Sequence, residues 1–122
     1  MAAPNLVNVS SIYGRTHAQA VTTGAVDVLS CAAEKVLKIN TIQVANIDGT
    51  NDAWVTVIFQ DNSQSSTDFN LGYHINVVAQ NSVIVVSKDN PIYLEESDKI
   101  RVLGEAASDL EVTVSYEEMD DA

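Results

Sequence analysis

The most constraining feature of this sequence is a period-two alternation of apolar and polar residues, which is strictest near its C-terminus. The apolar positions there are Leu110, Val112, Val114 and Tyr116, and the polar positions between them are Glu111, Thr113, Ser115 and Glu117. Because successive side chains of a β-strand point to opposite faces of its sheet, this alternation predicts a strand with one buried face. The same pattern recurs with Val55, Val57 and Phe59 on one parity and Thr56 and Gln60 on the other.

Turn-forming residues separate such segments along the whole chain. The strongest turn is Asp48–Asp52 (DGTND), and Val and Ile, which favour strands, dominate the apolar residues between turns. About eight strands and essentially no helix are expected from this spacing. Since the connections are short, the strands should be antiparallel. The predicted fold is therefore an all-β, two-sheet sandwich of the jelly-roll kind, with an immunoglobulin-like sandwich as the second choice.

Two segments give more local predictions. The apolar phase changes between Ile39 and Ile42, which predicts a bulge or a strand covered on both faces. A later strand is expected to place its side chains on opposite faces, with Tyr73, Ile75 and Val77 on one and His74 and Asn76 on the other.

The length of 122 residues fits one domain. Residues 1–15 are predicted to form an N-terminal arm, residues 16–118 the β-sandwich domain, and residues 119–122 an acidic tail. The apolar residues of the arm are Leu6, Val7, Val9 and Ile12. Such an arm either forms the first strand of its own domain or adds a strand to a neighbour's sheet edge, and both alternatives remain open.

The formal net charge is −11, from 17 acidic and 6 basic residues. Nucleic-acid affinity rests on Lys and Arg side chains that neutralise phosphates, so no nucleic-acid partner is expected. Anionic membrane surfaces are disfavoured for the same reason. The acidity is expected either to keep the protein soluble or to complement a basic surface on a partner.

Cys31 is the single cysteine, so no intrachain disulfide is possible and the fold does not depend on an oxidising compartment. Its neighbours Val28 and Leu29 predict a buried, apolar environment for the thiol. The sequence has no apolar run of about 18 residues, the length of a membrane helix, and its start lacks a signal-peptide pattern. Synthesis and folding in a cytoplasm are expected.

Residues that carry chemistry are few and scattered. His17 and His74 have no second ligand at a metal-site spacing, and no nucleophile motif or glycine-rich phosphate loop is present. We therefore predict no catalytic residue, no cofactor and no enzymatic activity. Two acidic loops are calcium candidates, because Ca²⁺ takes about six to eight oxygen ligands, although their spacing differs from an EF-hand. The candidate carboxylates are Asp48, Asp52, Glu95, Glu96 and Asp98.

Trp54 follows the acidic turn on the parity opposite to Val55 and Val57. If those two valines fill the core, Trp54 and Ile58 face outward and anchor a protein interface. If the strand is central and covered on both faces, Trp54 and Ile58 are buried instead. The candidate interface residues are thus Trp54 and Ile58 together with the apolar residues of the arm.

Three stretches carry a resemblance to a known family. They are Val44–Val57, Ile92–Val102 and Asp109–Glu118, within the longer runs VLKINTIQVANIDGTNDAWVTVIF and PIYLEESDKIRVLGEAASDLEVTVSYEEM, and the N-terminal NLVNVSSIYG adds to them. These segments resemble small all-β virion proteins of tailed bacteriophages, notably phages of cyanobacteria and other marine bacteria. One departure is Ser97, where the family pattern suggests Gly before Asp98.

The resemblance implies a structural virion protein with a β-sandwich fold. Its implied role is capsid decoration, as a cement protein on the shell exterior, with a neck, tail or fibre-associated component as the alternative. It also implies the major capsid protein or other virion subunits as partners and a homo-oligomer, with a trimer favoured. A carbohydrate- or host-binding module is the second alternative, and an enzyme is the third.

Overall fold

The computed structural model describes residues 9–121, with the side chain of Asp121 left undescribed. The strands are β1 (Val9–Ala20), β2 (Val26–Ser30), β3 (Lys35–Asn46), β4 (Ala53–Asp61), β5 (Thr67–Val77), β6 (Ser82–Val86), β7 (Ile92–Leu94), β8 (Lys99–Gly104) and β9 (Leu110–Asp121). A single 3-10 turn, Asn62–Gln64, joins β4 to β5. Within this described range, no helix is long and apolar enough to cross a membrane.

The strands form two antiparallel sheets. One has the order β1-β9-β3-β6, with β7 also paired to β3, and the other has the order β2-β8-β4-β5. The first strand therefore lies beside the last, and most connections pass from one sheet to the other, as in a jelly roll. The prediction of an antiparallel, jelly-roll-like sandwich is confirmed, with nine strands rather than about eight.

The core lies between the two sheets and consists almost entirely of aliphatic side chains. Its largest fully buried members are Ile39, Ile42, Leu94, Ile100 and Leu110. The alternation predicted for β9 is confirmed. Val112 and Val114 are fully buried, whereas Glu111, which lies between Leu110 and Val112, is exposed. Burial of each such side chain stabilises the fold by about 1.5–3 kcal/mol.

A bulge in β3 brings two isoleucines to the core. The pairing of β3 with β9 shifts register between Ile39 and Thr41, which confirms the predicted bulge. Because of this shift, Ile39 and Ile42 both contact the core although they are three residues apart.

The turn between β3 and β4 is held from inside by Asn46, which is 3% exposed. Its Nδ2 group donates to the carbonyl oxygens of Asn51 at 3.0 Å and Val77 at 2.9 Å. Its Oδ1 atom accepts the N–H of Asp48 at 2.9 Å. One amide side chain therefore ties the turn to the end of β5.

Strands run through both domain boundaries that the sequence suggested. β1 extends from Val9 to Ala20, across the expected arm boundary at residue 15, and pairs continuously with β9. β9 extends to Asp121, across the expected start of the acidic tail at residue 119. Residues 9–15 are thus the first strand of the domain, while Leu6 and Val7 lie outside the described residues.

Ser97, the departure from the family pattern, adopts φ 70°. Glycine reaches this left-handed region without steric cost, which explains a glycine preference at this position. The neighbouring Asp98 is buried and closes the turn, since its carboxylate accepts the N–H of Glu95 at 3.0 Å and that of Asn62 at 2.9 Å.

Candidate interaction surfaces

β1 presents a long open edge. On one side it pairs with β9, and within residues 9–121 no strand pairs with its other side. The N–H of Val21 donates to the carbonyl of Leu110 at 2.9 Å. This bond shows that the odd-numbered residues of β1 are the ones that hydrogen-bond to β9. In an antiparallel pair, alternate residues direct both backbone groups to the partner strand. The even-numbered residues of β1 therefore direct their N–H and C=O groups outward: Ile12, Gly14, Thr16 and Ala18.

Two exposed apolar side chains lie on this open edge. Ile12 is 57% exposed and Tyr13 is 48% exposed, whereas Val9 is half-buried. The guanidinium of Arg15 lies 5.2 Å from the centre of the Tyr13 ring and 3.4 Å from the Glu118 carboxylate. The edge strand thus carries a positive charge in a chain that is otherwise strongly acidic.

Ion pairs stabilise one end of the first sheet, where β1 and β3 begin and β9 ends. The ammonium of Lys35 pairs with Asp120 and with Glu118, the latter at 3.4 Å, and Ser11 donates to Asp120 at 2.9 Å. The hydrogen bond from Lys35 lowers the pKa of Asp120, and the same bond raises the pKa of Lys35. These contacts join β1, β9 and β3. They hold the N-terminal end of β1, and with it the start of the open edge, against the sheet.

The structure separates the two interface candidates of β4. Trp54 is half-buried, but Ile58 is only 6% exposed and therefore offers little surface to a partner. β4 is a central strand between β8 and β5, and Ile58 lies opposite Arg101 of β8. The guanidinium of Arg101 is held by Asp27 at 3.0 Å and Asp68 at 3.2 Å. The central-strand alternative therefore holds for Ile58.

Trp54 belongs instead to an aromatic stack, made of Trp54, His74 and Tyr73. The ring centres of Trp54 and His74 are 3.8 Å apart, and those of His74 and Tyr73 are 4.0 Å apart. The two interplanar angles are 21° and 7°, so the three rings lie nearly parallel. Tyr73 is 64% exposed and forms the outer end of the aromatic stack.

A bulge in β5 creates this aromatic stack. Val55 pairs with Ile75 and Val57 with Gly72, so two residues of β5 oppose the single residue Thr56. The expected alternation of Tyr73 against His74 is therefore wrong, because a bulge lets consecutive side chains share one face. His74 adopts φ 47°, and its N–H donates to the hydroxyl of Thr56 at 3.0 Å. Gly72 is the residue in the sequence that indicates this bulge, since an isolated glycine in a strand is typical of bulges.

The acidic loops use their carboxylates internally. Asp48 accepts the N–H of Thr50 at 2.9 Å, and Asp52 accepts the N–H of Ala79 at 3.0 Å. These backbone bonds lower the pKa of both aspartates. Glu96 accepts the N–H of Glu34 at 3.1 Å. Among residues 9–121, no three His, Cys, Asp or Glu side chains form a group that could hold a metal ion, and Glu95 and Asp98 belong to no such group.

The Cys31 thiol and the His17 ring also form hydrogen bonds within the protein. Cys31 is 3% exposed, and its Sγ donates to the carbonyl of Lys35 at 3.2 Å. Burial raises the pKa of Cys31 to about 11, so the thiol stays protonated near neutral pH. His17 shares a hydrogen bond of 2.8 Å with the side chain of Gln19. The prediction of a buried, apolar environment for Cys31 is confirmed.

No protein-family model and no curated protein matches this sequence. Among solved structures, the chain is similar to one from Bacillus endospore appendages, described as a novel family of disulfide-linked pili. The identity is 13%, the match covers 92% of this chain and 88% of that one, and the TM-score is 0.54.

The chain is also similar to one from the T13 viral particle of infectious bursal disease virus, at 8% identity and a TM-score of 0.52. That match covers 91% of this chain but 31% of the other, so this chain spans about a third of the viral chain. At such identities, both likenesses show a shared fold.

Proposed function

We propose that this chain is a non-enzymatic structural subunit of a phage virion, and specifically a decoration protein that binds and stabilises the outer capsid shell. The open edge of β1 carries the proposal. Edge strands are usually short, bulged or charged, because unpaired backbone groups recruit other strands. β1 carries the charged residue Arg15, but it is 12 residues long and has a single register shift, at its very start. Such an edge is suited to pairing with another subunit.

The composition of the open edge fits a protein contact. Ile12 and Tyr13 add exposed apolar area, and its burial against a partner would stabilise the complex by about 25 cal/mol per Å². The net charge of −11 disfavours unspecific association between copies of the chain. Partners of this kind are the major capsid protein, other virion subunits and further copies of the chain, and we propose a homotrimer as the free form.

Three further observations support the proposal. The sequence resembles phage virion proteins along Val44–Val57, Ile92–Val102 and Asp109–Glu118. The chain also shares its fold with chains from a pilus and from a viral particle. The potential reactive groups also have structural roles, because the Cys31 thiol is buried and protonated and the His74 ring stacks on those of Trp54 and Tyr73.

The copy number in purified virions of the phage that encodes the chain tests this role. Quantitative mass spectrometry would compare the chain with the major capsid protein of the same particles. A decoration protein is expected at a number comparable to that of the shell subunits, because it binds repeated sites on the shell. A few copies per particle would overturn decoration in favour of a neck or tail position, and absence from the particle would overturn the structural role.

A further inference from the structure

The aromatic stack lies on the surface of the sandwich and adds little to the packing of its core. Tyr73 is 64% exposed, so its ring contributes little buried area to the fold. His74 nevertheless occupies a left-handed backbone conformation, φ 47°, to place its ring between those of Tyr73 and Trp54. Non-glycine residues in such conformations cluster at sites where a ligand binds, and bulges often re-aim side chains at such sites.

Polar groups lie at both ends of the aromatic stack. Asn76 is the cross-strand neighbour of Trp54, and its Nδ2 group donates to the Asp52 carboxylate at 3.3 Å. The Glu105 carboxylate accepts the backbone N–H of Trp54 at 3.1 Å. The next positions along β5 toward its start include Asn70 and Asp68, which are both exposed. The exposed Tyr73 ring is thus followed, toward the start of β5, by one exposed amide side chain and one exposed carboxylate.

This arrangement fits a saccharide better than a protein partner. A protein interface has an apolar core of several side chains with a polar rim, whereas here one ring stands among polar groups. A pyranose ring has one face of C–H groups and a rim of hydroxyls. The C–H groups are attracted to the negative face of an aromatic ring, and the hydroxyls can bond carboxylates and amides.

We propose that the aromatic stack is a binding site for neutral pyranose saccharides. The sugar stacks on the outer face of Tyr73, while Asn70 and Asp68, which are exposed and lie on the side of Tyr73 away from Trp54, offer hydrogen bonds to its hydroxyls. The net charge of −11 disfavours anionic saccharides. The His74 and Trp54 rings stack behind the Tyr73 ring and hold it in place, so that little conformational freedom is lost on binding.

The chain contains a built-in reporter of this site, because Trp54 is its single tryptophan and belongs to the stack. The experiment titrates the full chain with oligosaccharides of glucose, galactose, mannose, xylose and N-acetylglucosamine, and with anionic polygalacturonate, while Trp54 fluorescence is recorded. We expect a saturable change with at least one neutral oligosaccharide and a weaker response to polygalacturonate. The absence of any saturable response up to about 10 mM sugar would overturn the proposal.

Two variants locate the site. Tyr73→Ala removes the stacking ring and is expected to weaken binding about tenfold or more. Tyr93→Ala is the matched control, because Tyr93 is also exposed, at 42%, but belongs to β7 in the other sheet. The control should bind as the unmodified chain does. Equal affinities for Tyr73→Ala and Tyr93→Ala, with both variants folded by circular dichroism, would show that the saccharide binds elsewhere and would overturn the assignment.

Discussion

Single buried polar residues determine the local geometry of the turns in this fold. Asn46 shows this most clearly, because all of its polar atoms are used within the protein. It donates to the carbonyls of Asn51 and Val77 and accepts from the N–H of Asp48. Buried polar groups cost free energy unless they are hydrogen-bonded, so these contacts are what permit Asn46 in the core.

Replacement of Asn46 by alanine should therefore destabilise the protein strongly. The change leaves the carbonyl of Val77 and the N–H of Asp48 without these partners, and we expect a loss of about 2–3 kcal/mol in the free energy of unfolding. Urea unfolding followed by circular dichroism measures this loss.

Asn51→Ala is the control for this change. The exposed Asn51 side chain makes only a contact of 3.3 Å with Asp48, so its removal should cost less than about 0.5 kcal/mol. Similar unfolding midpoints for the two variants would contradict the role assigned to Asn46.

At the scale of the element, the core-facing alternation of β9 could be predicted from the sequence, and the pairing of β1 could not. The alternation on β9 is strict because every second side chain enters the core. β1 has no such constraint along its exposed length, and its partner β9 lies at the opposite end of the chain. Local periodicity carries no information on pairing between such distant segments, so the sequence predicts an arm where the first residues of β1 pair with β9.

β5 shows a second limit of the sequence pattern. Alternation assumes a constant register, and one extra residue inverts the assignment of every following side chain. The bulge opposite Thr56 places Tyr73 on the same face as His74, so alternation alone identifies Trp54 as a candidate but does not predict the aromatic stack. Gly72 could have indicated the bulge, but not which rings it would bring together.

At the scale of the whole molecule, the acidity makes the fold sensitive to low pH. Hydrogen bonds lower the pKa of five aspartates: Asp27 through Lys99, Asp48 through Thr50, Asp52 through Ala79, Asp61 through Ser63, and Asp120 through Lys35. A carboxylate with a lowered pKa stabilises the folded state above its unfolded pKa of about 3.9. This stabilisation is lost as the pH falls through the lower, folded pKa.

We therefore expect the melting temperature to be higher at pH 5 than at pH 3, and to fall continuously as the pH decreases below about 4. Differential scanning fluorimetry across this range, at constant ionic strength, measures the dependence. A melting temperature that stays constant or rises between pH 5 and pH 3 would contradict the role of these five aspartates.

Assembly through the open edge of β1 is the central claim of this account, and a proline at Thr16 probes it selectively. The N–H of Thr16 points away from β9, so Thr16→Pro removes a group that only a partner strand would use. His17→Pro is the opposite control, because the N–H of His17 points toward β9 and its loss should lower the melting temperature of the domain itself.

The most direct measurement is the mass of the purified chain and of Thr16→Pro by size-exclusion chromatography with multi-angle light scattering. We predict a trimer for the unmodified chain and for Thr16→Ala, which keeps the N–H group, and a folded monomer for Thr16→Pro. A monomeric unmodified chain, or a Thr16→Pro variant that assembles as well as Thr16→Ala, would contradict the claim.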